Sequence, residues 1–140
     1  MTRFIARQSS LLLTLTVILF AGLLMRSPGL AAVTPAHSIA VKLEDYHFIP
    51  DSITVLTGET VQLELTNTDS MTPHNFTLKA EAAGLDVDVD VSAGKTEFID
   101  ITPLAPGRYK FYCNKKLLFF KSHSERGMEG TLVVMPTNPE

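Results

Sequence analysis

The sequence predicts an all-β fold, a Greek-key sandwich or small barrel of seven to eight strands. Three observations point to it. Apolar and polar residues alternate with period two in several short runs. Turn-forming residues recur roughly every 8 to 12 positions, and no segment carries the clean apolar stripe of an amphipathic helix.

The 140 residues suffice for one domain, and the first 31 stand apart from it. Arg3 and Arg7 precede an apolar run from Leu11 to Met25, and small residues follow at Gly29, Ala31, Ala32 and Ala36. A basic start, an apolar middle and a small-residue end compose a secretory signal, with the cut expected near Ala31 or Ala32. The rival reading is an uncleaved anchor. Fifteen residues from Leu11 to Met25 fall short of the roughly 20 that cross hydrocarbon. Residues 32–37 then read as a flexible linker, 38–136 as the folded domain and 137–140 as a polar tail.

Along the domain, residues 38–46 alternate Ile39, Val41 and Leu43 against Ala40, Lys42 and Glu44. Pro50 and Asp51 make a turn into SITVLTG, and Val61, Leu63 and Leu65 alternate with polar residues through 59–67. The loop TDSMTPH leads to NFTLKA, and GLDVDVDV (84–91) is the sharpest alternation of all. Asp86, Asp88 and Asp90 fall on one strand face, so they read as a solvated edge rather than a calcium loop. TEFIDI, RYKFYC (108–113) and GTLVVM (130–135) complete the set, with Tyr109, Phe111 and Cys113 sharing a face. One weak helix candidate remains at 115–126. Its four consecutive apolar residues, Leu117 to Phe120, would circle a helix instead of lining one side.

Past residue 31 the chain carries nine Lys and Arg against 15 Asp and Glu, a formal charge of −6. Such a balance argues against nucleic acid as a partner, because backbone binding needs clustered positive charge. A single cysteine, Cys113, cannot form an internal disulfide, and a free thiol in an oxidising compartment must be buried or ligated.

Four residues offer soft or borderline metal donors: His74, Cys113, His123 and Met128. Nine residues separate Cys113 from His123 and four separate His123 from Met128. A strand end delivers the thiolate, the following loop folds back with an imidazole and a thioether, and a second loop adds His74. Two imidazoles, a thiolate and a weak thioether are the donors of a type 1 copper centre. His37 and His47 read instead as ordinary surface or strand-face residues. Zinc would want a fourth strong ligand in place of methionine. Cys–His catalysis is weaker still, since an open reactive thiol would oxidise after export.

The motifs that accompany these residues are Phe48-Ile49-Pro50, ITVLTG at 53–58, VQLELTN at 61–67, HNF at 74–76, GRYKFYC at 107–113 and HSERGMEGTLVV at 123–134. In this order, from about residue 39 to 135, they resemble the cupredoxins, the plastocyanin and azurin family of blue copper proteins. The resemblance implies one copper ion held by His74, Cys113 and His123 as strong equatorial ligands, with Met128 axial. It implies that Asn75 ties the two ligand loops together and that Phe76, Phe111 and Val133 are core. The paired-copper variant of this fold needs a second cysteine, which the chain lacks.

The departure is loop length. Family members usually place about two to four residues between the Cys and His where this chain has nine, leaving roughly KLLFF as extra. The extra residues are expected to bulge at the ligand end, part covering the metal and part forming a patch rimmed by Lys115, Lys116 and Lys121.

The function implied is a one-electron carrier, not an enzyme, exported to a periplasm or a thylakoid lumen. Redox proteins are expected to dock near His123 and the Leu117, Leu118, Phe119, Phe120 stretch, with membrane-surface contact as a further use of that stretch. No small-molecule substrate is expected. The alternative is a copper storage, delivery or assembly module, for which Met71 near His74 is the one hint.

Overall fold

The structure, a computed structural model, describes residues 37–137. The signal or anchor at 1–31, nearly all of the linker and most of the polar tail lie outside the described residues.

Nine strands run through the described residues: β1 (His37–Glu44), β2 (His47–Ile49), β3 (Ser52–Leu56), β4 (Val61–Asn67), β5 (His74–Ala80), β6 (Leu85–Val91), β7 (Thr96–Ile101), β8 (Gly107–Tyr112) and β9 (Glu129–Met135). They form a four-stranded sheet in the order β2-β1-β4-β7 and a five-stranded sheet in the order β3-β9-β8-β5-β6. The β1–β4 and β3–β9 pairs are parallel and the remaining pairs antiparallel. The strand expected at 38–46 instead breaks at Asp45 and Tyr46, both at positive φ (47° and 63°), and β2 turns back on β1. Only a single 3₁₀ turn, Ser124–Arg126, occupies the weak helix candidate.

Alternation places the core as expected. Val41, Leu43, Val61, Leu63 and Leu65 are buried from one sheet, and Ile53, Phe76, Leu78, Phe111 and Leu132 from the other. Each such side chain contributes about 1.5–3 kcal/mol on leaving water. Phe48, Phe76 and Phe111 form an aromatic cluster at its centre, with ring centroids 4.9–5.8 Å apart.

One core expectation fails. Val133 is only half-buried, whereas Leu132 and Val134 point inward. Register sets this parity: Phe111 pairs directly with Gly130 and Tyr109 with Leu132, and directly opposed residues share a sheet face. Phe111 faces the core, so the even-numbered residues of β9 do too.

The same pairing explains Gly130. A Cβ there would stand 2.2 Å from Phe111 Cζ and 2.6 Å from the Asp51 carbonyl oxygen. The Phe111 ring therefore occupies the space that any side chain at 130 would need.

On the β6 edge, Asp86, Asp88 and Asp90 are exposed, which discourages pairing with another strand. Asp88 does more than face solvent. It accepts hydrogen bonds from the Asn75 amide (2.8 Å), the Thr77 hydroxyl (3.2 Å) and the Asn114 amide (3.4 Å).

Gly130→Ala is expected to destabilise the domain by about 2–3 kcal/mol through overpacking against Phe111. Urea unfolding followed by circular dichroism checks this.

Candidate metal centre

The site lies where β5 begins and β8 ends. These strands are antiparallel neighbours, Thr77 opposite Tyr112, so His74 and Cys113 come to the same end of the sheet. His74 is the first residue of β5 and is fully buried, not the loop residue that its place after Pro73 suggests. Proline disfavours the helical region for its predecessor and leaves the chain extended, and pairing with Val91 continues that extension into the sheet.

His123 arrives by backbone closure. Its N–H donates to the Lys115 carbonyl (2.8 Å), and Ser124 N–H donates to the Cys113 carbonyl (3.0 Å). The chain then makes its 3₁₀ turn and reverses at Gly127, whose φ of 104° suits glycine. Met128 N–H returns to the His123 carbonyl (3.0 Å), and the Met128 carbonyl accepts from Cys113 N–H (3.1 Å). Met128 is fully buried in consequence.

Three donor atoms converge. His74 Nδ1 and His123 Nδ1 are 3.1 Å apart, Cys113 Sγ is 3.3 Å from His123 Nδ1, and Sγ is 3.9 Å from His74 Nδ1. The point equidistant from these atoms lies about 2.0 Å from each, close to an ordinary metal–imidazole bond and slightly short of a metal–thiolate one. The donor set therefore fits a single soft or borderline metal ion, and the cluster can coordinate one. His37 and His47 take no part. His37 is exposed beside Glu59, and His47 is exposed with Nδ1 2.7 Å from the Asp45 carbonyl oxygen.

The surroundings prepare the donors. Asp69 Oδ2 lies 2.9 Å from His74 Nε2. A carboxylate only accepts, so Nε2 carries the proton and Nδ1 keeps its lone pair toward the cluster. Burial lowers the His123 pKa, helped by the nearby His74 and Arg126, which favours the neutral ring that a metal requires. Burial pushes the Cys113 thiol up, against the opposing pull of the Asn75 and Lys115 backbone N–H groups. Metal binding must therefore release the thiol proton.

Asn75 ties the two ligand segments as the motif implies. Its N–H points at Cys113 Sγ (3.4 Å), its side-chain carbonyl accepts from Asn114 N–H (2.9 Å), and its amide donates to Asn114 Oδ1 (2.9 Å).

Asp69, Tyr46, Arg126 and Asp88 were not foreseen. The Tyr46 ring meets the His123 and His74 rings edge-on, with centroids 4.8 and 6.0 Å apart. Arg126 lies over the Tyr46 ring, 4.7 Å from its centroid. Only for Asp69 does the sequence hold a signal, an acid five positions ahead of a histidine in a turn-rich loop.

A family model for the cupredoxin-like domain matches residues 15–134. The chain belongs to that family. Solved structures agree on the fold of this cupredoxin. Auracyanin B aligns with a TM-score of 0.58 at 23% identity, covering 74% of this chain and 91% of its own. The dithionite-reduced auracyanin of the photosynthetic bacterium Roseiflexus castenholzii gives 0.57 at 23%, covering 71% and 97%. Auracyanin A, a "blue" copper protein from the green thermophilic photosynthetic bacterium Chloroflexus aurantiacus, gives 0.54 at 21%, covering 70% and 98%. A search of curated proteins finds no match to this cupredoxin.

Replacing Asp69 with Asn removes the charge behind His74 while keeping the side chain's size. The expected result is a fall of about tenfold or more in metal affinity. Competition titration of Co(II) or Cu(II) against a chromophoric chelator measures it.

Proposed function

We propose that this cupredoxin is an exported one-electron carrier whose site is a type 1 copper centre. His74 Nδ1, Cys113 Sγ and His123 Nδ1 would be the strong donors and the buried Met128 thioether a weaker fourth. The observation that carries the reading is the convergence of two imidazoles and one thiolate on a single buried point. When bound there, copper supplies one-electron chemistry, since thiolate and thioether favour Cu(I) while imidazoles accept Cu(II).

The protein's part is to hold the donors still and dry. Asp69 and Tyr46 orient the His74 ring, and Asn75 holds Cys113 against Asn114. His74, Cys113 and Met128 have no exposed surface, whereas His123 is 8% exposed. His123 also lines a cavity of about 390 Å³ between residues 71–73 and 115–126. Electrons then enter and leave by His123, with redox partners approaching from the cavity side. The same reading makes the protein a carrier and not an enzyme. Export rests on the composition of residues 1–31, and a periplasm and a thylakoid lumen suit it equally.

A copper-delivery module is the second reading. Met71 favours it, an exposed thioether at the cavity beside His123.

Copper-loaded protein is expected to show the intense visible thiolate-to-copper band and to bleach reversibly on reduction. A colourless protein whose spectrum ignores Cu(II) would sink the carrier reading, and rapid surrender of Cu(I) to a competing chelator would favour delivery. Cys113→Ser and His74→Ala should each abolish the colour. Met128→Leu should keep the colour and shift the midpoint potential, as read by spectroelectrochemistry.

A further inference from the structure

The residues that lengthen the ligand loop form a distinct structure. The His123 N–H to Lys115 carbonyl bond pinches the loop shut at its base, so residues 116–122 leave the sandwich and return to the same place. At the far end Phe120 N–H donates to the Leu117 carbonyl (3.0 Å), and Leu118 takes a positive φ of 46° to make the turn. Leu117, Leu118, Phe119 and Phe120 are all exposed, and Phe119 is 98% exposed at the tip. Four large apolar side chains in water are costly to keep there unless something covers them.

Charge is sorted around this finger. Residues 115–126 hold four of the nine cations between residues 37 and 137 but only one of the 14 acids, Glu125. Lys115 pairs with Asp90 (2.7 Å), and Arg126 lies over Tyr46. Glu125 is engaged by the Ser122 N–H and hydroxyl, with Lys116 and Lys121 near enough to help lower its pKa. Neither Lys116 nor Lys121 forms an ion pair among the described residues. The finger end is therefore basic, and the remainder of the domain is acidic.

We propose that residues 116–122 are a membrane-docking finger. Leu118 and Phe119 would enter the boundary between headgroups and acyl chains of an anionic bilayer, with Lys116 and Lys121 on the lipid phosphates. A protrusion whose four apolar side chains are all exposed needs no pre-shaped partner in a fluid interface, whereas a protein would have to supply a matching pocket. An apolar insertion and a basic patch are the two contributions that together hold a peripheral protein on a membrane. Lysines at both ends of the run can lie along the interface, stems among the lipids and ammonium groups in water. The acidic remainder of the domain is repelled by the same surface, which sets the orientation. Leu117 and Phe120 also line the cavity over His123, so docking turns that ligand toward the bilayer and toward redox partners held in it. The inference concerns the finger alone and holds whichever metal fills the site.

The chain contains no tryptophan. Phe119→Trp in the protein purified from the exported fraction therefore places the sole indole at the tip, and Phe98→Trp places one on β7, also exposed, as the control. Vesicles of phosphatidylcholine, alone or mixed with phosphatidylglycerol, are added with and without brominated acyl chains. The expected result is a blue shift and bromine quenching at position 119 only, and only on vesicles that contain phosphatidylglycerol. In the Phe119→Trp background, Lys116→Gln and Lys121→Gln should each weaken vesicle affinity roughly fivefold.

Water-like emission at 119 on every vesicle would overturn the proposal and leave the finger to a protein partner. Equal quenching at 98 and 119 would also overturn it, since another part of the chain would then be drawing the protein down. An equal response on neutral vesicles would remove the role given to the lysines. Circular dichroism confirms folding, and Leu118→Trp repeats the reading from the neighbouring position. None of these measurements needs bound copper, so their outcome is separate from that of the visible spectrum.

Discussion

Nine residues separate Cys113 from His123, yet Sγ and Nδ1 stand 3.3 Å apart. The bond from His123 N–H to the Lys115 carbonyl reconciles the two. It removes residues 116–122 from the path between the ligands, so the effective connection is as short as in a chain without them. The loop-closure entropy of those residues grows only slowly with their number, which makes such an excursion tolerable. The ligand triangle, the turn at Gly127 and the return to Met128 all lie downstream of that closure. So does the exposure of the finger, whose side chains have no route inward once the base is shut.

Around the triangle the protein relies on polar groups that are buried but partnered. Asn67 donates to the Thr72 and Val91 carbonyls and accepts from Asp69 N–H, fixing the loop that brings Asp69 to His74. Asn75 and Asn114 bond each other and share Asp88. No buried side-chain nitrogen or oxygen is left without a partner among the described residues. Removing one member leaves a desolvated group unpaired at a cost of about 1–3 kcal/mol, so the network holds the donors by mutual dependence. Such stiffness suits the one-electron role proposed above, in which donors that barely move between oxidation states would keep reorganisation small.

Much of the fold was legible because side-chain period is a local property. Val61, Leu63 and Leu65 alternate with polar neighbours, and all three are buried. Parity was less legible. Val133 reads as core from its motif, but the opposition of Gly130 to Phe111 decides which residues of β9 face inward. The break at Asp45 and Tyr46 went unseen as well, since Asp tolerates a positive φ without requiring it and Tyr rarely adopts one. That break matters to the site, because Tyr46 is the residue that meets both histidine rings.

The sequence by itself determined the donor types, their order along the chain and the strand pattern that carries them, all of which follow from covalent identity and near-neighbour spacing. Only the tertiary structure decided that His74 and His123, 49 positions apart, present Nδ1 to a common point with Cys113. It alone decided that Asp69 selects the His74 tautomer and that the side chains of Leu117 to Phe120 stay exposed instead of packing into the sandwich. These facts depend on sheet register and backbone closure, which bring distant residues within a few ångströms and which no local pattern encodes.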